Sequence, residues 1–77
     1  MKDLISLLDL RRGERGVIVS IQGGRGVIQR LSDMGLTPGT EVSVTNSAFF
    51  GPIEISVRGS KLALGRGIAM KILVERK

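Results

Sequence analysis

Residues Arg30 to Val42, Arg-Leu-Ser-Asp-Met-Gly-Leu-Thr-Pro-Gly-Thr-Glu-Val, constrain the fold more than any other part of this chain. Val27, Leu31 and Met34 sit at i, i+4 and i+7, with Ile28 beside Leu31, which gives one apolar helical face. Gln29, Arg30, Ser32 and Asp33 face the other way. Gly35 follows where helices commonly end in a left-handed residue, a conformation that costs any side chain bearing a Cβ. With Gly35 as that residue, Leu36 and Leu31 become the apolar pair expected to touch across the cap. Thr37-Pro38-Gly39-Thr40 then fits a type II turn, with Pro fixing φ at the second position and Gly taking positive φ at the third. A β-alternation begins directly afterwards. The chain is therefore expected to stop a helix, reverse and enter a strand within a few residues.

The other segments read as short strands. Arg15 to Ile21 is expected to be a strand with Val17, Val19 and Ile21 inward, which turns Ile18 outward; Leu73 is turned outward by the same alternation. Thr40 to Asn46 places Val42 and Val44 inward and Glu41, Ser43 and Thr45 outward. Pro52 starts the strand in which Ile53, Ile55 and Val57 alternate with Glu54, Ser56 and Arg58. Arg58-Gly59-Ser60-Lys61 reads as a hairpin turn into Lys61–Leu64. Gly65 to Met70 reads as a single helical turn, and Lys71 to Glu75 as a last strand with Ile72 and Val74 inward. Five short strands with small helical insertions predict a mainly β, antiparallel barrel. Periodicity alone leaves an SH3-like and an OB-like barrel both open.

Seventy-seven residues allow one small domain, spanning 1–77. No cysteine is present to staple it, so efficient closure of the sheet is the remaining way to hold so short a chain. No apolar run approaches the ~18–20 residues of a membrane span. Asp3 and Asp9 interrupt the leucine-rich start, so the chain is read as cytoplasmic, with no cleaved segment.

The composition narrows the chemistry. Histidine and cysteine are both absent, which removes histidine general bases, thiol nucleophiles and the usual transition-metal ligands. The seven carboxylates do not cluster at ligand spacing, so neither a catalytic site, a cofactor nor a metal is expected. Gly23-Gly24-Arg25-Gly26 precedes a helix, but it lacks the Gly-Lys-Ser/Thr of a P-loop, and no βαβ unit surrounds it. A net charge of +5 favours anionic partners. The basic residues are nevertheless dispersed, and with no Tyr or Trp the chain lacks the rings on which nucleic-acid platforms stack bases. Phe49-Phe50 is the most suggestive surface feature. One ring can plug the barrel end while the other lies over it, or the pair can anchor a protein interface.

The Arg-Leu-Ser-Asp-Met-Gly-Leu-Thr-Pro-Gly run closely resembles the signature of FeoA-like proteins, small accessory subunits of bacterial ferrous-iron transport. Leu7, Leu10 and Gly13-Glu14 resemble that family's opening segment, and Gly16-Val17-Ile18 its first strand. Gly51-Pro52-Ile53-Glu54-Ile55 with Val57-Arg58-Gly59 matches its central hairpin, and Leu62-Ala63-Leu64 with Ala69 and Ile72 its end. Two places depart from the pattern. Ala48-Phe49-Phe50-Gly51 stands where a Pro-Leu-Gly-Asp-like sequence is frequent, and Gly65-Arg66-Gly67-Ile68 is richer in glycine than the pattern leads one to expect. The resemblance implies an SH3-like barrel and a non-enzymatic adaptor. Its implied partner is FeoB, a membrane ferrous-iron transporter with a cytosolic GTP-binding domain. The contact surface is expected in the Phe49, Phe50 and Pro52 loop with Arg30, Asp33 and Leu36. Alternatives are a nucleic-acid-binding basic barrel or a regulatory domain like that of iron-dependent repressors. Homo-oligomerisation through the Phe loop or an open barrel edge is left open.

Overall fold

Gly35 and Gly39 both adopt positive φ, +88° and +91°, and the chain reverses at each. The Gly35 N–H bonds the Ser32 carbonyl at 2.9 Å and the Leu36 N–H bonds the Leu31 carbonyl at 2.9 Å, the two bonds of a Schellman cap. The Thr40 N–H bonds the Thr37 carbonyl at 3.1 Å, closing the type II turn. Leu31 and Leu36 are both buried. The expected sequence of helix, stop, turn and strand is thus present bond for bond.

The structure is a computed structural model and describes residues 3–47 and 50–77. Its elements are β1 (Leu4–Ser6), a 3-10 turn (Leu7–Asp9), β2 (Arg15–Ile21), α1 (Arg25–Asp33), β3 (Glu41–Ser47), β4 (Ile53–Val57), β5 (Ser60–Leu64), α2 (Arg66–Ala69) and β6 (Ile72–Arg76). All strand pairs are antiparallel, in the order β1-β6-β2-β3-β4-β5. The consecutive strands β2 to β5 form a meander, and β6 returns to the far side of β2. This is an SH3-like barrel with one added strand, β1, on the outside of β6. The extra strand raises the count from the expected five to six. It is three residues long, too short for alternation to register in the sequence.

Arg58 and Gly59 join β4 to β5 with φ values of 51° and 84°, the double positive φ of a type I′ turn. Ser60 already belongs to β5, pairing with Val57, so the hairpin turns one residue earlier than expected. The inward residues of β3, β4 and β6 are as expected: Val42, Val44, Ile53, Ile55, Val57, Ile72 and Val74 are all buried.

β2 corrects the expectation. Its inward residues are Gly16 and Ile18, the latter 1% exposed, whereas Val19 is 39% exposed and Val17 half-buried on the outer face. The consecutive run Val17-Ile18-Val19 carries no parity signal, so neighbours decide. A Cβ on Gly16 would lie 3.1 Å from the Val74 side chain and 3.2 Å from Leu10 Cδ1; the missing side chain leaves room for Leu10. The register slips between Ile18 and Ser20, and Ile21 returns to pack against the core. Leu73 is half-buried on the outer face beside Ser6 and Ser20.

Candidate docking groove

α1 packs its Leu31 side into the barrel and stands off from the end of β5, leaving an open groove of about 440 Å³ between them. Its helical wall is Gly26, Val27, Arg30, Leu31 and Met34; the opposite wall is Ala63, Leu64, Gly65 and Ile68. Among the described residues, the only charged one lining it is Arg30. Met34, read from the sequence as part of the apolar helix face, is 36% exposed at the groove instead of being sealed in the core. A groove of this size, apolar and carrying one charge, falls within the ~300–1,000 Å³ range of binding sites.

The residues singled out from the sequence divide. Arg30 and Asp33 are exposed on α1, and Asp33 accepts a hydrogen bond from Gln29 Nε2 at 2.9 Å. Phe50, 82% exposed, and Pro52, also exposed, lie in the β3–β4 connection. Phe49 falls outside the described residues. Leu36 is not a contact residue: it is 0% exposed, because the cap that ends α1 drives it inward against Leu31. The loop and the groove are close in the ladder, since Ile53 directly follows Pro52 and pairs with Leu64 of the groove wall. Ala63, Gly65 and Ile68 were not recognised as site residues. Their only sequence signal was the unusual glycine content of the 65–68 segment.

The polar surface is knit by ion pairs on the outer face. Lys77 Nζ lies 2.6 Å from Glu41 and Arg15 3.6 Å from the same carboxylate. The Lys77 hydrogen bond, reinforced by the two positive charges, holds the Glu41 carboxyl below its ordinary range. Arg76 pairs with Glu14 at 3.4 Å, and Glu14 also accepts the Arg11 N–H at 2.7 Å. These acids serve cations of the same chain. Among the described residues no three Asp, Glu, His or Cys side chains gather as metal ligands. No helix among them is long and apolar enough to cross a membrane.

The fold and groove define a small SH3-like barrel whose prominent concave surface is apolar. The FeoA domain model matches residues 5–76, and the chain belongs to the FeoA domain family. A protein of Methanocaldococcus jannaschii named "Putative Fe(2+) transport protein A" is 43% identical over 65 residues, covering 84% of this chain and 78% of that protein. The crystal structure of an iron uptake regulatory protein (FeoA) superposes with a TM-score of 0.92 at 39% identity, over 97% of this chain and 100% of that one. A zinc complex of Stenotrophomonas maltophilia FeoA, described as a prokaryotic SH3 domain protein, shares the fold. Its TM-score is 0.81 at 22% identity, over 92% of this chain and 89% of that one. This chain has neither His nor Cys, two of the usual ligand types of zinc sites.

Proposed function

We propose that this protein is a non-enzymatic, cytosolic accessory factor of ferrous-iron transport that works by docking a protein partner. The partner is the FeoB-like transporter with its cytosolic GTP-binding domain. Iron is cargo of that transporter, not a ligand of this chain. The observation that carries the reading is the apolar groove between α1 and β5, with Arg30 at its rim. Apolar surface gains by leaving water at ~25 cal/mol per Å², and a partner surface is what can cover it. The proposed surface extends to the neighbouring loop, Phe49, Phe50 and Pro52, since aromatic residues often anchor such contacts, and to Asp33, exposed on α1.

The test is binding of the purified cytosolic GTPase domain, and of the full transporter, to the wild-type protein, Met34→Asp and Phe50→Ser. A structured oligonucleotide serves as control. Binding that survives moderate salt and is lost in Met34→Asp supports docking through the groove; loss in Phe50→Ser extends the surface to the loop. Binding to the oligonucleotide alone, falling steeply with salt, overturns the reading in favour of a nucleic-acid partner.

A further inference from the structure

The groove has one wall that is a strand edge. β5 is the last strand of the sheet on its side and is joined to β4 by a two-residue turn, with Val57 opposite Ser60, Ile55 opposite Leu62 and Ile53 opposite Leu64. In such a hairpin the pair closing the turn exchanges its backbone bonds, and every second pair after it does the same. Ser60, Leu62 and Leu64 therefore bond to β4, and the N–H and C=O groups of Lys61 and Ala63 point to the open side. Among the described residues, no backbone bond outside the strand ladders engages Lys61 or Ala63. Ala63 also lines the groove.

A second observation concerns glycine. Gly26 and Gly65 line the groove, one on each wall. Neither has positive φ, and a Cβ built on either would meet nothing within 4 Å. Gly65 caps the N-terminus of α2, a position glycine favours, whereas at Gly26 neither φ nor packing within this chain requires glycine. At Gly26 it even weakens a helix relative to alanine. Without side chains, both positions leave the groove walls open to close approach by another backbone.

We infer that the groove receives an extended, alternating acidic and apolar segment of the protein partner as an added strand beside β5. The inference rests on the docking reading above and specifies its mode. The added strand bonds the free groups of Lys61 and Ala63. Its apolar side chains enter against Leu31, Leu64 and Ile68, and its backbone passes close to Gly26 and Gly65. Its acidic side chains meet Arg30 at the rim and Lys61 on the edge, on a chain of net charge +5. A docked helix satisfies its own backbone and leaves Lys61 and Ala63 to water. Strand addition pairs those edge groups and uses the close approach that the two glycines permit.

The experiment is amide hydrogen exchange by NMR on the full chain. It is run alone and with two probes, the cytosolic GTPase domain and a capped peptide of about eight alternating Val and Glu residues. The Lys61 and Ala63 amides should exchange fast in the free protein and become protected with either probe. Gly26→Ala should weaken peptide binding about tenfold while raising the melting temperature. Ala63→Pro, at a position whose N–H faces away from β4, should fold and abolish protection at Lys61. Protection with the peptide but no binding of the GTPase domain supports strand addition and rejects that domain as partner. Binding of the GTPase domain with both amides still exchanging fast overturns strand addition and leaves docking intact. Protection with neither probe, or protection in the free protein that rises with its concentration, also overturns the inference; the latter assigns the edge to a second copy.

Discussion

The apolar residues along one face of α1 are similar and end in different places. Leu31 is driven into the barrel, where Leu36 meets it across the cap. Val27 and Met34, equally apolar, are left half-covered at the groove. The difference is not hydrophobicity. The Schellman cap fixes the rotation and end point of the helix, and Leu31 is the side chain it carries into the core. The lesson is that one helix can stabilise the fold and present a surface, with cap geometry deciding which residue does which.

The sharpest way to break that distinction is Leu31→Ala. Removing a side chain 2% exposed should cost ~2–5 kcal/mol, a large part of the roughly 4–12 kcal/mol expected for a domain of this size. A denaturant midpoint unchanged by this substitution would place Leu31 outside the core. Gly35→Val comes next, at ~1–2 kcal/mol for the left-handed conformation. No neighbour lies within 4 Å of the would-be Cβ, so the loss should come from φ alone, and Gly35→Asn should recover part of it. Gly26→Ala should raise stability by ~0.5–1 kcal/mol, read as an upward shift in the thermal transition. Met34→Asp should change stability by no more than ~0.5 kcal/mol, because its side chain is already partly in water. A large loss of stability there would make Met34 core and remove its contrast with Leu31.

Glu41 provides a control remote from α1. Its folded-state pKa is lowered, so its stabilising contribution is present above the ordinary value of 4.5 and fades as pH falls through the lowered one. Wild type and Glu41→Gln should therefore differ in melting temperature at neutral pH and converge in acid. A difference independent of pH would mean that the ion pairs with Lys77 and Arg15 are not its source.

The segment from Leu31 to Thr40 was legible because its signals are local: a cap glycine, an apolar pair and a Pro-Gly turn within a few residues. The strands β3, β4 and β6 were legible by alternation. β2 was misread because three successive β-branched residues carry no parity, and its inward face is set by a distant packing event, Leu10 and Val74 closing over Gly16. Leu36 was misassigned to the surface although its role in the cap already required burial. The groove was illegible for a different reason. Its walls come from Gly26–Met34 and Ala63–Ile68, and only the folded barrel brings them together. Taken singly, Gly26 and Gly65 look like ordinary loop glycines.

The position of β6 has a consequence for how the molecule is made. The last strand in sequence lies between the first two, pairing Glu75 with Leu4 and Ile72 with Ile21. The β3–β4–β5 hairpins close short loops and can form early, whereas the β6 pairings span most of the chain and bring a slow, topology-limited step. During synthesis the nascent chain therefore carries two strands, β1 and β2, with no common neighbour until Ile72–Arg76 emerge. The native barrel closes only once β6 is available, and a chain stopped short of Ile72 would be left with exposed strand edges and a tendency to aggregate.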